Sequence, residues 1–141
     1  MKNKYLVYVS SRVRCTGEDI IAEANKYKKS LKNAEKRIKE DINRGFEQFE
    51  VVFLHTHGVL LKEWIKNNDI TRLQDTDENK REQAFKKIED IFKEHGEDLN
   101  VYLAMDLGVS SGMHKEIEFA NTYGCKVMSL LKQDTRWKRV K

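Results

Sequence analysis

Four short runs rich in apolar and β-branched residues constrain this chain more than any other feature. They are Tyr5 to Val9, Glu50 to Leu54 ("EVVFL"), Leu99 to Leu107 ("LNVYLAMDL") and Cys125 to Leu131 ("CKVMSLL"). The first is unbroken apolar, without the polar alternation of a strand that has one face in water. Such runs belong to strands covered on both faces. The covers are legible between them. From Glu18 to Arg44, Ile20, Ile21, Ala24, Tyr27, Leu31, Ala34, Ile38 and Ile42 recur at three- and four-residue spacing among lysines and glutamates, the pattern of a long amphipathic helix. Asp77 to His95 repeats it with Ala84, Phe85, Ile88, Ile91 and Phe92, and Gly96 supplies a stop. Gly112 to Tyr123 forms a third helix leading through Gly124 into the last strand. The segment between the second strand and Asp77 has a mixed pattern and is expected to be irregular, with a helical turn or two around Leu61 to Ile65.

Strand alternating with helix predicts an α/β fold: a Rossmann- or flavodoxin-like open parallel sheet of four to five strands with helices on both faces. At 141 residues the chain fits one domain, placed at 1–132, followed by a basic tail, 133–141, expected to be disordered. Lys+Arg 27 against Asp+Glu 23 leaves +4, scattered along the chain. That favours a protein mildly disposed to anions over a dedicated nucleic-acid binder, so nucleic acid is not an expected partner. The apolar run after the two N-terminal lysines is too short for a signal sequence or a membrane span, and a cytoplasmic protein without a membrane partner is expected. Cys15 and Cys125 stand alone and are read as free thiols. His55 and His57 alternate at the end of the second strand, but no further ligand-spaced cluster accompanies them, and neither a metal nor a cofactor is expected.

In an open parallel sheet, ligands bind beyond the carboxyl ends of the strands, where strand order reverses. Two loops lie there. "SSRVRCTG" follows the first strand and offers Ser10, Ser11, Arg12 and Arg14; an arginine fork suits a phosphate or carboxylate, although arginines in surface loops are commonly just solvated. "DLGVSSG" follows the third strand and puts Ser110, Ser111 and Gly112 at a helix start, whose free N–H groups accept an anion or are simply capped by a serine. Asp106, ending that strand, either binds a sugar hydroxyl or starts the turn. On the helix that follows, successive residues about 100° apart put Glu116 inside the arc of Met113, Ile117, Ala120, Phe119 and Tyr123. A carboxylate among apolar neighbours has a raised pKa and is a candidate for chemistry, unless it reaches water past the helix end.

"YVSSRVR" before a helix, and "SSGMHKE" between a strand and a helix, resemble the nucleoside 2-deoxyribosyltransferase superfamily, which includes the 2'-deoxynucleoside 5'-phosphate N-hydrolases and short phage and bacterial relatives. The family signature is a small polar residue, any residue, Gly, three variable residues and Glu, here Ser110, Gly112 and Glu116. The resemblance implies cleavage of the N-glycosidic bond between a base and a (deoxy)ribose, with Glu116 as nucleophile. Ser110, where the transferases carry aspartate, implies a nucleotide or nucleotide-derived ligand with a 5'-phosphate. The resemblance also implies a substrate contact for Tyr8, equally readable as a core aromatic, a pocket border at His55, and an assisting aspartate whose counterpart here is Asp90. It implies a homodimer or larger homo-oligomer as well. A binder that sequesters or senses a nucleotide-derived molecule is the alternative.

Overall fold

The computed structural model of the protein describes residues 3–44, 49–130 and 137–140. The four apolar runs become β1 (Asn3–Ser10), β2 (Phe49–Phe53), β3 (Leu99–Ala104) and β4 (Lys126–Leu130), all parallel. A fifth strand, β5 (Trp137–Val140), pairs antiparallel with β4, Val127 opposite Val140. The spatial order is β2-β1-β3-β4-β5, so the chain reverses direction across the sheet between β1 and β3. The tail was expected to be disordered; instead its residues 137–140 close one edge of the sheet. A short basic strand is at home on an edge, where charge discourages pairing with a further strand. Residues 131–136 and 141 lie outside the described residues, so the rest of that expectation has no structural counterpart.

Alternation along β1 and β3 divides the core. Tyr8, Leu99, Val101 and Leu103 face one side, packing with Phe92 and Ala120, while Val7, Val9, Tyr102 and Ala104 face the other, against Leu31, Ala34 and Ile38. The first set is covered by α4 (Glu78–His95) and α5 (Ser111–Tyr123), the second by α1 (Ile20–Ile42). Helices therefore cover both faces, as the doubly apolar strands require. Aspartate side chains cap two of these helices: Asp19 accepts from the Ala22 N–H at 3.0 Å, and Asp77 from the Lys80 N–H at 3.2 Å. Gly124, with φ +74°, ends α5 in the left-handed conformation that a glycine adopts without strain.

The segment expected to be irregular apart from a helical turn or two around Leu61 to Ile65 forms two helices, α2 (His57–Lys66), which contains that turn, and α3 (Ile70–Gln74). Leu61 and Leu73 are fully buried with Cys15, Ala24 and Tyr27 in a third apolar cluster, beneath the loop after β1. Among the described residues no helix is long and apolar enough to cross a membrane.

Candidate functional site

Strand β1 delivers Tyr8 and Ser10 to the side of the sheet on which α5 begins. Glu116, one and a half turns into α5, shares its buried stripe with Met113 and Ala120 and keeps only 6% of its surface. Both carboxylate oxygens are held: the Tyr8 hydroxyl donates to Oε2, and the Ser10 hydroxyl donates to Oε1 at 2.9 Å. Burial pushes the Glu116 carboxyl up to about 7, and the two hydroxyl donors pull against that rise. The same burial, together with the carboxylate beside it, raises Tyr8 well above an ordinary phenol, so it stays a donor. Phe92 locks the Tyr8 ring edge-on, with centroids 4.9 Å apart. Two strand side chains thus fix a carboxylate that its helix carries on the apolar side.

The carboxylate opens onto a cleft of about 950 Å³ at the switch point, bounded by the loop after β1, by α2 and α3, by α4, and by the start of α5. Ser110, Ser111 and Gly112 line it. Ser110 is the N-cap of α5, its Oγ accepting from the Met113 N–H at 3.2 Å. A hydroxyl has a second role left after accepting one bond: its own proton remains free to donate. Gly112 lets α4 close in, since a Cβ there would stand 3.3 Å from the Phe85 ring. Arg12 and Arg14 line the cleft as well. Arg12 lies 5.9 Å from the Tyr27 ring centroid and beside Glu23, and Arg14 donates from Nε to the Gln74 carbonyl at 3.0 Å. With Arg72, Lys80, Arg81 and Lys87, six basic side chains line the cleft against two carboxylates, Asp75 and Glu116. Leu60, Trp64, Phe85 and Ile88 give it apolar wall. A shallower depression of about 550 Å³ lies beside Arg12, over Glu23, Lys26 and Tyr27.

The two histidines separate in role. His55 does not line the cleft; it braces the fold. Its Nδ1 accepts the Val9 N–H at 3.0 Å just where the β1–β2 ladder ends, and its Nε2 lies 3.1 Å from a carboxylate oxygen of Glu35 on α1. His57 does line the cleft, its Nε2 sharing a hydrogen bond of 2.9 Å with the Ser11 hydroxyl. Burial and the neighbouring His55 hold His57 down to about 3, so it is neutral. The resemblance put the pocket border at His55; in the structure His57, where the chain turns into α2, lines the cleft instead.

Two other expected residues are not brought in. Asp90 is exposed, on the side of α4 away from Phe85, Ile88 and Phe92, and does not line the cleft. Asp106 is exposed and accepts from the Ser30 hydroxyl at 2.8 and 3.0 Å, tying the end of β3 to α1. No group of three or more His, Cys, Asp or Glu capable of holding a metal ion is present among the described residues. No protein-family model, curated protein or solved structure matches the chain.

Proposed function

We propose that the protein cleaves, or transfers across, the N-glycosidic bond of a nucleoside 5'-monophosphate or related nucleotide, with Glu116 as nucleophile. One observation carries the reading: a buried carboxylate at the switch point, gripped by two hydroxyl donors and open to a cleft with an excess of cations. With its pKa pushed up to about 7, Glu116 keeps an ionised population at neutral pH. The ionised form attacks the anomeric carbon, the C1'–N bond breaks as the new C1'–O bond forms, and the bonding pair leaves with the base, which takes up a proton from solvent water. Water, or a second base, then displaces the glutamate, the two-step course of a retaining glycosidase. The 5'-phosphate fits the first turn of α5, with the Ser110 hydroxyl donating and Arg12 supplying charge. The base fits the apolar wall of Leu60, Trp64 and Phe85.

A second reading is favoured by a different observation. Among the described residues, the only carboxylate lining the cleft apart from Glu116 is Asp75, which Arg81 engages at 3.6 Å, and Asp90 is exposed. A pocket lacking a free acid to protonate the base suits a protein that holds a nucleotide-derived molecule intact. Incubation with the common ribo- and deoxyribonucleoside monophosphates separates the two readings. The enzyme releases free base and loses that activity in Glu116→Gln, whereas the binder retains intact ligand and the variant still binds. The reading also carries the family's self-association and a cytoplasmic setting; sedimentation of the full chain tests the former, and a monomer at all concentrations removes it.

A further inference from the structure

The α3 wall of the cleft holds a cation that this chemistry does not use. Arg72 lies with its guanidinium carbon 4.7 Å from the centroid of the Trp64 ring. Its Nη1 is buried with no hydrogen-bond partner among the described residues, while the half-buried side chain as a whole lines the cleft. A guanidinium keeps its charge at any ordinary pH, and a buried donor left without an acceptor is unfavourable enough that native folds rarely keep one. Asp75, three residues on, is the obvious partner, yet it faces Arg81. More positive charge is gathered beside Arg72. The loop after β1 is pinned to α3 by the Cys15 N–H on the Leu73 carbonyl at 2.9 Å and by Arg14 Nε on the Gln74 carbonyl, and α4 brings Lys80 and Arg81 to the same cleft.

The charge balance points the same way. Six basic side chains less the Asp75 carboxylate and Glu116 in the ionised form that attacks leave the cleft at +4. A single phosphate monoester brings roughly −2 at neutral pH and answers about half of it. A cleft of about 950 Å³ lies near the top of the roughly 300–1,000 Å³ common for ligand pockets, so it has room for more. We propose that Arg72, with Arg14, Lys80 and Arg81, forms a second anion subsite for another phosphoryl group of the same ligand. That ligand is a nucleoside di- or triphosphate or a pyrophosphate-linked dinucleotide. The inference rests on the reading above only for the seat of the first phosphate.

Calorimetric titration of the full chain carrying Glu116→Gln, so that no ligand is consumed, tests it with three probes for each base: the nucleoside monophosphate, the diphosphate and a pyrophosphate-linked dinucleotide. The diphosphate or the dinucleotide binds at least tenfold tighter than the monophosphate, about 1.4 kcal/mol, and the tighter of the two identifies the source of the second phosphoryl group. Adding Arg72→Gln brings the ratio below threefold. Should that variant not fold, displacement of bound nucleotide by inorganic pyrophosphate at concentrations where orthophosphate fails supports the subsite, and equal displacement by the two overturns it. Equal affinity for mono- and diphosphate, or an advantage that survives Arg72→Gln, also overturns it. If base release is intact at the same time, the glycosidic reading stands without the subsite. Arg72-dependent pyrophosphate binding with no base released from any nucleotide keeps the subsite and removes that reading.

Discussion

Replacing Glu116 by glutamine changes how stability depends on pH, and the size of the change follows from where the carboxylate sits. Burial moves its pKa from 4.5 to about 7. Between those values the folded chain binds more protons than the unfolded one, so stability falls as pH rises. The contribution is whole below about pH 4.5 and is lost on passing through about pH 7. At about 1.4 kcal/mol for each tenfold change in proton affinity, the loss comes to roughly 3 kcal/mol. Glutamine has no such titration. Its amide nitrogen cannot accept from both hydroxyls, which adds an offset of about 1–3 kcal/mol that does not vary with pH. Urea unfolding of both proteins, followed by far-ultraviolet circular dichroism from pH 4.5 to 8.5, separates offset from slope. The wild type should lose about 3 kcal/mol relative to Glu116→Gln over that span, a relative midpoint change of roughly 1–3 M urea. Parallel profiles would mean that the carboxylate is not held out of water, and the reasoning built on it would fail.

Tyr8→Phe removes a donor that stabilises the ionised Glu116, so the acid limb of the pH–rate profile should move to higher pH and the rate at pH 7 should fall; an unmoved limb contradicts the assigned hydrogen bond. Ser110→Ala deletes the N-cap of α5 and should lower unfolding stability by about 1 kcal/mol, within a range of about 0.5–2, measurable by urea titration. Retention of full stability would show that the cap contributes nothing. His57 titrates in the opposite sense to Glu116. Because the fold holds it neutral down to about 3, its contribution is present above about pH 6.5 and is lost as pH falls toward 3; a His57→Gln variant should lack that part of the acid destabilisation.

The four parallel strands and the three longer helices were legible because each carries its period in its side chains: doubly covered strands read as apolar runs, and α1 and α4 repeat at 3.6. Glu116 was legible for the same reason, since a wheel puts it in the arc of Met113 and Ala120, and both are buried with it. Asp90 could have been set aside by the same wheel, which places it across α4 from Phe92. The α2–α3 segment was opaque because tertiary contacts define it. Gly58 sits early in α2, where a Cβ would come 2.9 Å from Leu31, and α3 is a five-residue helix tied down by Cys15 and buried Leu73. The stack of Arg72 on Trp64 joins residues with no shared periodicity. β5 carries no apolar alternation, and an edge strand of this kind is specified by its neighbour's open hydrogen bonds.

The central claim, that Glu116 attacks a sugar carbon, is tested most directly by mass spectrometry of the full chain quenched during turnover of a 2-fluoro-substituted nucleotide, whose glycosyl–enzyme adduct is slow to hydrolyse. The account predicts a mass gain of one fluorinated pentose phosphate on the peptide containing Glu116, and its absence in Glu116→Gln. Base release by the wild type with an unmodified Glu116 peptide, continuing undiminished in the glutamine variant, would contradict it.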